Sequence, residues 1–316
     1  MSSRIIKIAT RASPLAVWQA DQAKQLLEGQ GRTAEIIKIE TSGDNRLDQP
    51  AYAFGITGIF TKELDISLLN NKSDIAVHSL KDVPTELAQG LYLAATMKRG
   101  SAEDVIILKD KKILDDVTGT AKIATGSFRR SAQWLSRYPN HITVPIRGNV
   151  QTRLKKFHDD KTLDGIIFAK AGLERLDILP ENAITLNWML PAAAQGIIGI
   201  ICRKDDSEMI DICKKINNSE SYNEAFIERD FLNSLMGGCS VPIGVRAKSQ
   251  NGKIDLQGGI YDYDGRQKFC FAQEYVSSDI NAGKNAAAKL MENAKAAKLM
   301  EKIRNMDMKK QEYDND

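Results

Sequence analysis

Between Ile5 and Cys202, short apolar runs alternate with helical periods, and that alternation narrows the fold more than any other feature of the chain. Ile5–Thr10, Ala34–Ile39, Ile75–His78, Asp104–Leu108, Lys122–Thr125, Ile142–Pro145 and Asp164–Ala169 read as strands. Most are followed by a helical stretch, as parallel neighbours require, because their connection must be long enough to hold a helix. The small residues of Leu190–Gly196 suit a crossover feeding a returning strand, Ile197–Cys202. Two α/β units joined by two such strands would leave a cleft between them. From about Ser219 the pattern changes. An amphipathic helix over Tyr222–Leu235 precedes short strands at Gly244–Ala247, Ile254–Ile260 and Phe269–Val276, with turn signals at Asn251-Gly252 and Asp264-Gly265. A lysine- and alanine-rich helix covers about Asp279–Ile303. The expected fold class is therefore α/β, with two α/β units joined by crossover strands and a C-terminal α+β unit. The expected domains are 1–98 with 197–217, 99–196, and 218–303, followed by a charged tail, 304–316, expected to be disordered.

Composition removes several function classes. Lys+Arg 44 against Asp+Glu 41 gives a net charge of +3, and aromatics make up 6%, so neither charge nor stacking residues support a nucleic-acid partner. The longest apolar run, Leu190–Ile201, is too short and too glycine-rich to span a bilayer. No apolar leader precedes the first strand, and the four cysteines form no CxxC, so a cytoplasmic, reducing setting is expected. His78, His141 and His158 do not pair at ligand spacing, and no metal site is expected.

The chemistry collects at strand ends, where open α/β sheets bind ligands. Arg11, Lys81, Arg129, Arg130, Arg147 and Arg153 all fall there, beside a single acid, Asp82. Ser13-Pro14 reads as a helix cap. Gly126-Ser127 before Phe128 reads as a strand, turn and helix start that presents free N–H groups to an anion. Guanidinium forks match carboxylates two bonds at a time, so this cluster suggests a ligand with several carboxylates and a reacting centre that becomes positive. Cys239 follows Gly237-Gly238 and precedes Val241-Pro242, so it sits on a turn, unlike Cys202, Cys213 and Cys270, which read as small buried hydrophobes. A non-catalytic binding protein for a di- or tricarboxylate would explain the cleft and the arginines but leaves Cys239 without a task.

Ala9–Ala16, Asp74–Pro84 (DIAVHSLKDVP), Ser127–Arg130, Arg147–Arg153 (RGNVQTR), Leu190–Gly199 and Gly237–Gly244 together resemble the porphobilinogen deaminase (hydroxymethylbilane synthase) family, in the family's order. The resemblance implies two α/β domains like those of periplasmic binding proteins and a third that bears a cofactor cysteine. By similarity, Cys239 carries a dipyrromethane through a thioether, and Asp82 is the catalytic acid. Lys81, Ser127, Arg129 and Arg130 resemble cofactor-binding residues. Arg11, Ser13, Arg147, Arg153, Arg175 and Gln195 resemble those that receive substrate. The implied substrate is porphobilinogen, which loses ammonia to give an electrophilic azafulvene. Four additions and a hydrolysis give a linear tetrapyrrole, with uroporphyrinogen-III synthase as the implied recipient and a monomer as the implied state. The chain departs from the family at Ala53 and Thr57, in an expected lid over Thr41–Thr57 where lysines are usual. It departs again at Gly126, which lacks a usual hydroxyl, and at Ala194, in place of a usual glycine.

Overall fold

The computed structural model describes residues 4–41, 61–235 and 241–313, with side chains in the last helix given through residue 306. The expected lid beyond Thr41, with Ala53 and Thr57, lies outside the described residues, and so does Cys239.

Two five-stranded sheets are built to one plan. The first runs β2 (Ala34–Ile39), β1 (Ile6–Arg11), β3 (Ile75–Ser79), β10 (Ile198–Arg203), β4 (Leu91–Thr96). The second runs β7 (Ile142–Val144), β6 (Lys122–Ala124), β8 (Gly165–Ala169), β5 (Asp104–Leu108), β9 (Ile184–Thr185). In each, three parallel strands are followed by one antiparallel strand, β10 or β5, that arrives from the other unit. The two connections touch: Gly100 N–H donates to Gly196 O (3.0 Å) and Met97 N–H to Ile198 O (3.0 Å). The shared strand order is a repeat of structure that the sequence does not display.

Helices cover both faces of each sheet, which is why these strands are apolar on both sides. Ala20, Ala23 and Leu27 of the helix Pro14–Gly29 join Met209 and Ile212 against one face of the first sheet, while Leu64 and Leu68 cover the other. In the second, Phe157 and Leu173 pack on one face and Trp134 and Tyr138 on the other.

The third unit is an antiparallel sheet, β11 (Ile243–Gln250), β12 (Lys253–Tyr261), β13 (Lys268–Val276), under the helices Ser219–Ser234, Ala282–Met291 and Ala294–Tyr313. Asn251 (φ 52°) and Gly252 (φ 74°) form the two-residue loop that the Asn-Gly pair predicts. The expected single helix over Asp279–Ile303 is two helices. The Asn293 carboxamide accepts from Lys295 N–H and Ala296 N–H and caps the second one. That second helix runs on to Tyr313, so the tail expected to lack structure from residue 304 is helical through that point. Arg304 anchors it by donating twice to Leu235 O. Cys202 and Cys213 are buried as expected, whereas Cys270 on β13 is exposed, because alternate residues of that strand face solvent.

A buried ion pair ties the third unit to both connections. Glu228 is fully buried. It accepts from Arg99 Nη1 (2.7 Å) and Nη2 (3.2 Å), from Ala194 N–H (2.6 Å) and from Ala247 N–H (2.7 Å). Ala194 holds φ 59°, a left-handed conformation that costs a residue with a Cβ roughly 1–2 kcal/mol. The usual glycine would carry no such cost.

Candidate active site

Arg11, Lys81 and Arg147 come from the carboxyl end of a strand or the turn after it, and Arg129, Arg130 and Arg153 from the first turn of the helices that follow β6 and β7. Arg11 ends β1. Leu80–Asp82 form a single 3₁₀ turn after β3, closed by Val83 N–H to Leu80 O (3.2 Å). Ser127 follows β6 and caps the helix Phe128–Arg137, its Oγ accepting from Arg130 N–H (3.5 Å). Ser13 does the same for the first helix, accepting from Ala16 N–H (3.4 Å). Both serines therefore fix helix starts before they do anything else. Arg147-Gly148 follows β7. Gly148 has φ 114°, and a Cβ there would lie 2.6 Å from Thr152 Cγ2, so glycine is required.

The structure adds an acid that the sequence reading passed over. Asp104, at the start of β5, is fully buried. Its Oδ2 accepts from Arg129 Nη1 (2.6 Å), and its Oδ1 from Arg130 Nε (3.1 Å) and Gln195 Nε2 (2.9 Å). Burial by itself would raise the Asp104 carboxyl, but the two guanidiniums outweigh it and hold the group far below the usual carboxylate range. Arg129 also donates to Leu190 O (2.7 Å) and Arg130 to Ile167 O (3.1 Å). Both arginines are thus braced from behind. The only sequence sign of Asp104 is a charge opening the apolar strand DVIIL.

Gln195 is the junction between sheets. It is fully buried, donates to Ala102 O (2.7 Å) and accepts from Lys81 Nζ (3.3 Å) and Arg129 Nη2 (3.4 Å). Burial pushes the Lys81 ammonium down to about 8. Asp82 pulls it up, Arg130 pushes it further down, and Asp104 and Arg129 act more weakly in the same opposed senses. Between about pH 8 and the ordinary lysine value of about 10.4, the unfolded chain then binds more protons at this position than the fold does. The Lys81 contribution to stability is accordingly expected to rise with pH across that window. Urea unfolding of wild type and Lys81→Met at pH 7.5, 8.5 and 9.5 (roughly spanning that range) should show the gap between them changing with pH. A constant gap would assign the titration elsewhere.

Arg153 is pushed down to about 10 by burial first. Arg130, Arg147 and Arg11 act in the same direction and Asp82 against them, so these side chains share one electrostatic neighbourhood. Arg153 Nε donates to Gly148 O (2.6 Å). His78, beneath Arg11, is lowered to about 4 by burial and then by that arginine, so it adds no charge at neutral pH. Asp82 is exposed at the centre of this group.

Arg175 is elsewhere. Its Nη2 donates to Gly196 O (2.6 Å), and its guanidinium lies 5.8 Å from the Trp18 ring centroid, in a cavity of about 590 Å³ shared with Lys98 and Lys215. It braces the connection between the sheets, and no contact joins it to Asp82 among the described residues.

Among the described residues no cluster of His, Cys, Asp and Glu could hold a metal, and no helix is long and apolar enough to cross a membrane. Two family models match. Residues 6–211 match the porphobilinogen deaminase dipyrromethane cofactor binding domain, and residues 222–292 match the porphobilinogen deaminase C-terminal domain.

The chain belongs to the porphobilinogen deaminase family.

Its relatives include the porphobilinogen deaminase of a Nitratiruptor species, 45% identical over 77% of this chain and 78% of that protein. That of Syntrophomonas wolfei is 37% identical over 94% and 99%. Among solved structures, the methionine binding protein MetQ superposes with a TM-score of 0.43 at 12% identity, covering 69% of this chain and 89% of that one. The fold rests on the strand order above and not on that similarity. Porphobilinogen deaminases carry a dipyrromethane, and the cation excess here fits such a group. Lys81, Arg129, Arg130, Arg147, Arg153 and Arg11 surround the two carboxylates Asp82 and Asp104, and a ligand with several carboxylates would balance them.

Proposed function

We propose that this chain is a hydroxymethylbilane synthase. It condenses four porphobilinogen molecules head to tail, releasing one ammonia for each bond formed, and liberates the linear tetrapyrrole by hydrolysis. The observation that carries this reading is one exposed carboxylate, Asp82, set among buried and half-buried cations at the facing ends of two sheets. When bound, the dipyrromethane supplies the free pyrrole α-carbon on which the first bond is made.

The side chains divide the remaining work. Asp82 accepts from pyrrole N–H groups, stabilises the positive charge that develops as ammonia leaves, and takes up the proton displaced from the attacking carbon. Lys81, Ser127, Arg129 and Arg130 hold the cofactor's carboxylates. The arginines do so without reorganising, because Asp104 already fixes their planes. Arg11, Ser13, Arg147 and Arg153 receive the incoming substrate. Gln195 acts one step back, orienting Lys81 and Arg129, and Arg175 acts through the connection it braces. Cys239 is the attachment point by the resemblance of Gly237–Gly244 to the family, and it follows by four residues Leu235, which caps the helix Ser219–Ser234. The domains of this reading are 1–98 with 197–217, 99–196, and 218–303. The protein works as a cytoplasmic monomer and passes its product to uroporphyrinogen-III synthase.

Intact mass of the freshly purified, denatured protein tests the reading. The wild type is expected to exceed its sequence mass by one dipyrromethane, and Cys239→Ser to match its sequence mass and be inactive. A wild-type protein at its bare sequence mass that still consumed porphobilinogen would refute the assignment of Cys239.

A further inference from the structure

Asp82 needs a fixed position, yet its own loop supplies little of one. The turn Leu80–Asp82 is a single 3₁₀ turn, and Pro84 has no N–H to give. The Asp82 carboxylate is exposed and is held by no hydrogen bond among the described residues. The loop's start is held from the first unit, by Leu80 N–H to Ile197 O (3.0 Å) and by the buried Leu80 and Val83 side chains, and the carbonyls around Asp82 are held from the third unit. Arg229, on the buried side of the helix Ser219–Ser234, donates from Nη1 to Leu80 O (3.4 Å) and Val83 O (3.0 Å). Its Nη2 donates to Pro84 O (2.6 Å) and Thr85 O (3.1 Å). One turn along the same helix, Asn233 Oδ1 accepts from Thr85 Oγ1 (3.1 Å). The four carbonyls bracket Asp82 on both sides.

We propose that Arg229 is a positioning residue for the reaction: by gripping the backbone on either side of Asp82, it sets where that carboxylate stands relative to the surrounding cations. This rests on the reading of Asp82 as the reacting carboxylate. Only a planar fork with five donors can satisfy four carbonyls at once, and an ammonium cannot. The helix also makes the link stiff. Arg229 and Leu235 are six residues apart, roughly 9 Å of rise, and Leu235 is the last described residue before Cys239 in the sequence. One rigid element, packed into the third unit's core, thus fixes the loop that carries the acid. A lone brace between domains would need no such fan of carbonyls around the acid.

The test uses holoenzyme whose intact mass confirms the bound cofactor. Arg229→Lys keeps the charge and loses the fork. It is expected to lower kcat by about 100-fold, the scale of a misplacement near 1 Å, with KM within about twofold of wild type. Asn233→Ala, the milder change, is expected to give roughly a fivefold fall in kcat, the scale of one lost hydrogen bond. It carries the test alone if Arg229→Lys does not fold. Both are assayed well below their Tm. Full kcat in the folded variants, with only Tm reduced, would overturn the proposal and leave Arg229 a structural brace. Asp82→Asn is assayed in parallel. If it keeps activity, the reading of Asp82 fails and the positioning role with it. If it is inactive while Arg229→Lys and Asn233→Ala keep full kcat, the positioning role alone fails.

Discussion

Asp104→Asn is expected to lower the free energy of unfolding by roughly 3–5 kcal/mol, the range for removing one partner of a buried ion pair. The side chain is fully buried, and the substitution leaves Arg129 and Arg130, 4% and 6% exposed, without the charge that holds them. The amide is nearly isosteric, so cavity formation contributes little and the loss reports charge. Lys81 lies in the same field, so the cost extends beyond the two guanidiniums. Urea denaturation monitored by tryptophan fluorescence reads the effect, with Trp134 buried in the same unit. A loss under about 1 kcal/mol, the scale of an exposed pair, would show that water or relaxation compensates the arginines. The sign with pH follows from the depressed carboxyl. The stabilisation is complete above the ordinary aspartate value of about 4 and is lost progressively as pH falls below it. Asp104→Asn should therefore flatten the acid side of the stability profile.

Asp82→Asn should do the reverse. The carboxylate is exposed and has no hydrogen-bond partner among the described residues, so stability is expected to change by less than about 0.5 kcal/mol, as for surface substitutions generally. Catalysis is expected to fall by about 100- to 10,000-fold in kcat, the scale of a positioned acid–base group. Electrostatic support of the developing positive charge is lost together with proton transfer, which favours the upper part of that range. The cofactor mass increment should survive, because the cysteine and the arginines that hold the carboxylates are untouched. Steady-state assays with porphobilinogen, run beside intact mass, separate the two effects. An Asp82→Asn enzyme within tenfold of wild type (about 1.4 kcal/mol of barrier) would remove Asp82 from the chemistry.

The contrast between these two aspartates marks how far the residues alone could be read. Asp82 stands in a run of polar residues after a strand, a position where ligand chemistry is expected. Asp104 looks like the polar lip of an apolar strand, and nothing local says that two arginines about 25 residues later close on it. Arg175 was legible as a basic residue of the right family position, but its place beside Gly196 and Trp18 depends on how two units meet. Arg229 was legible only as part of a charged stretch, Glu228-Arg229-Asp230, on an amphipathic helix.

Local pattern determined the elements. Period-two and period-3.6 apolar spacing, Asn251-Gly252, and the caps at Ser13, Ser127 and Asn149 each act within a few residues, so most strand and helix positions and the α/β then α+β order follow from the sequence, whereas β4, β9 and the helix break at Asn293 do not. The tertiary structure alone decided the strand order, in which β5 and β10 each enter the other unit's sheet. It decided the pairing of Asp104 with Arg129 and Arg130, and the hold of Arg229 on the Asp82 loop. Those contacts join residues from 25 to nearly 150 positions apart. Their geometry is set by how whole sheets and helices pack, and spacing along the chain carries no record of it.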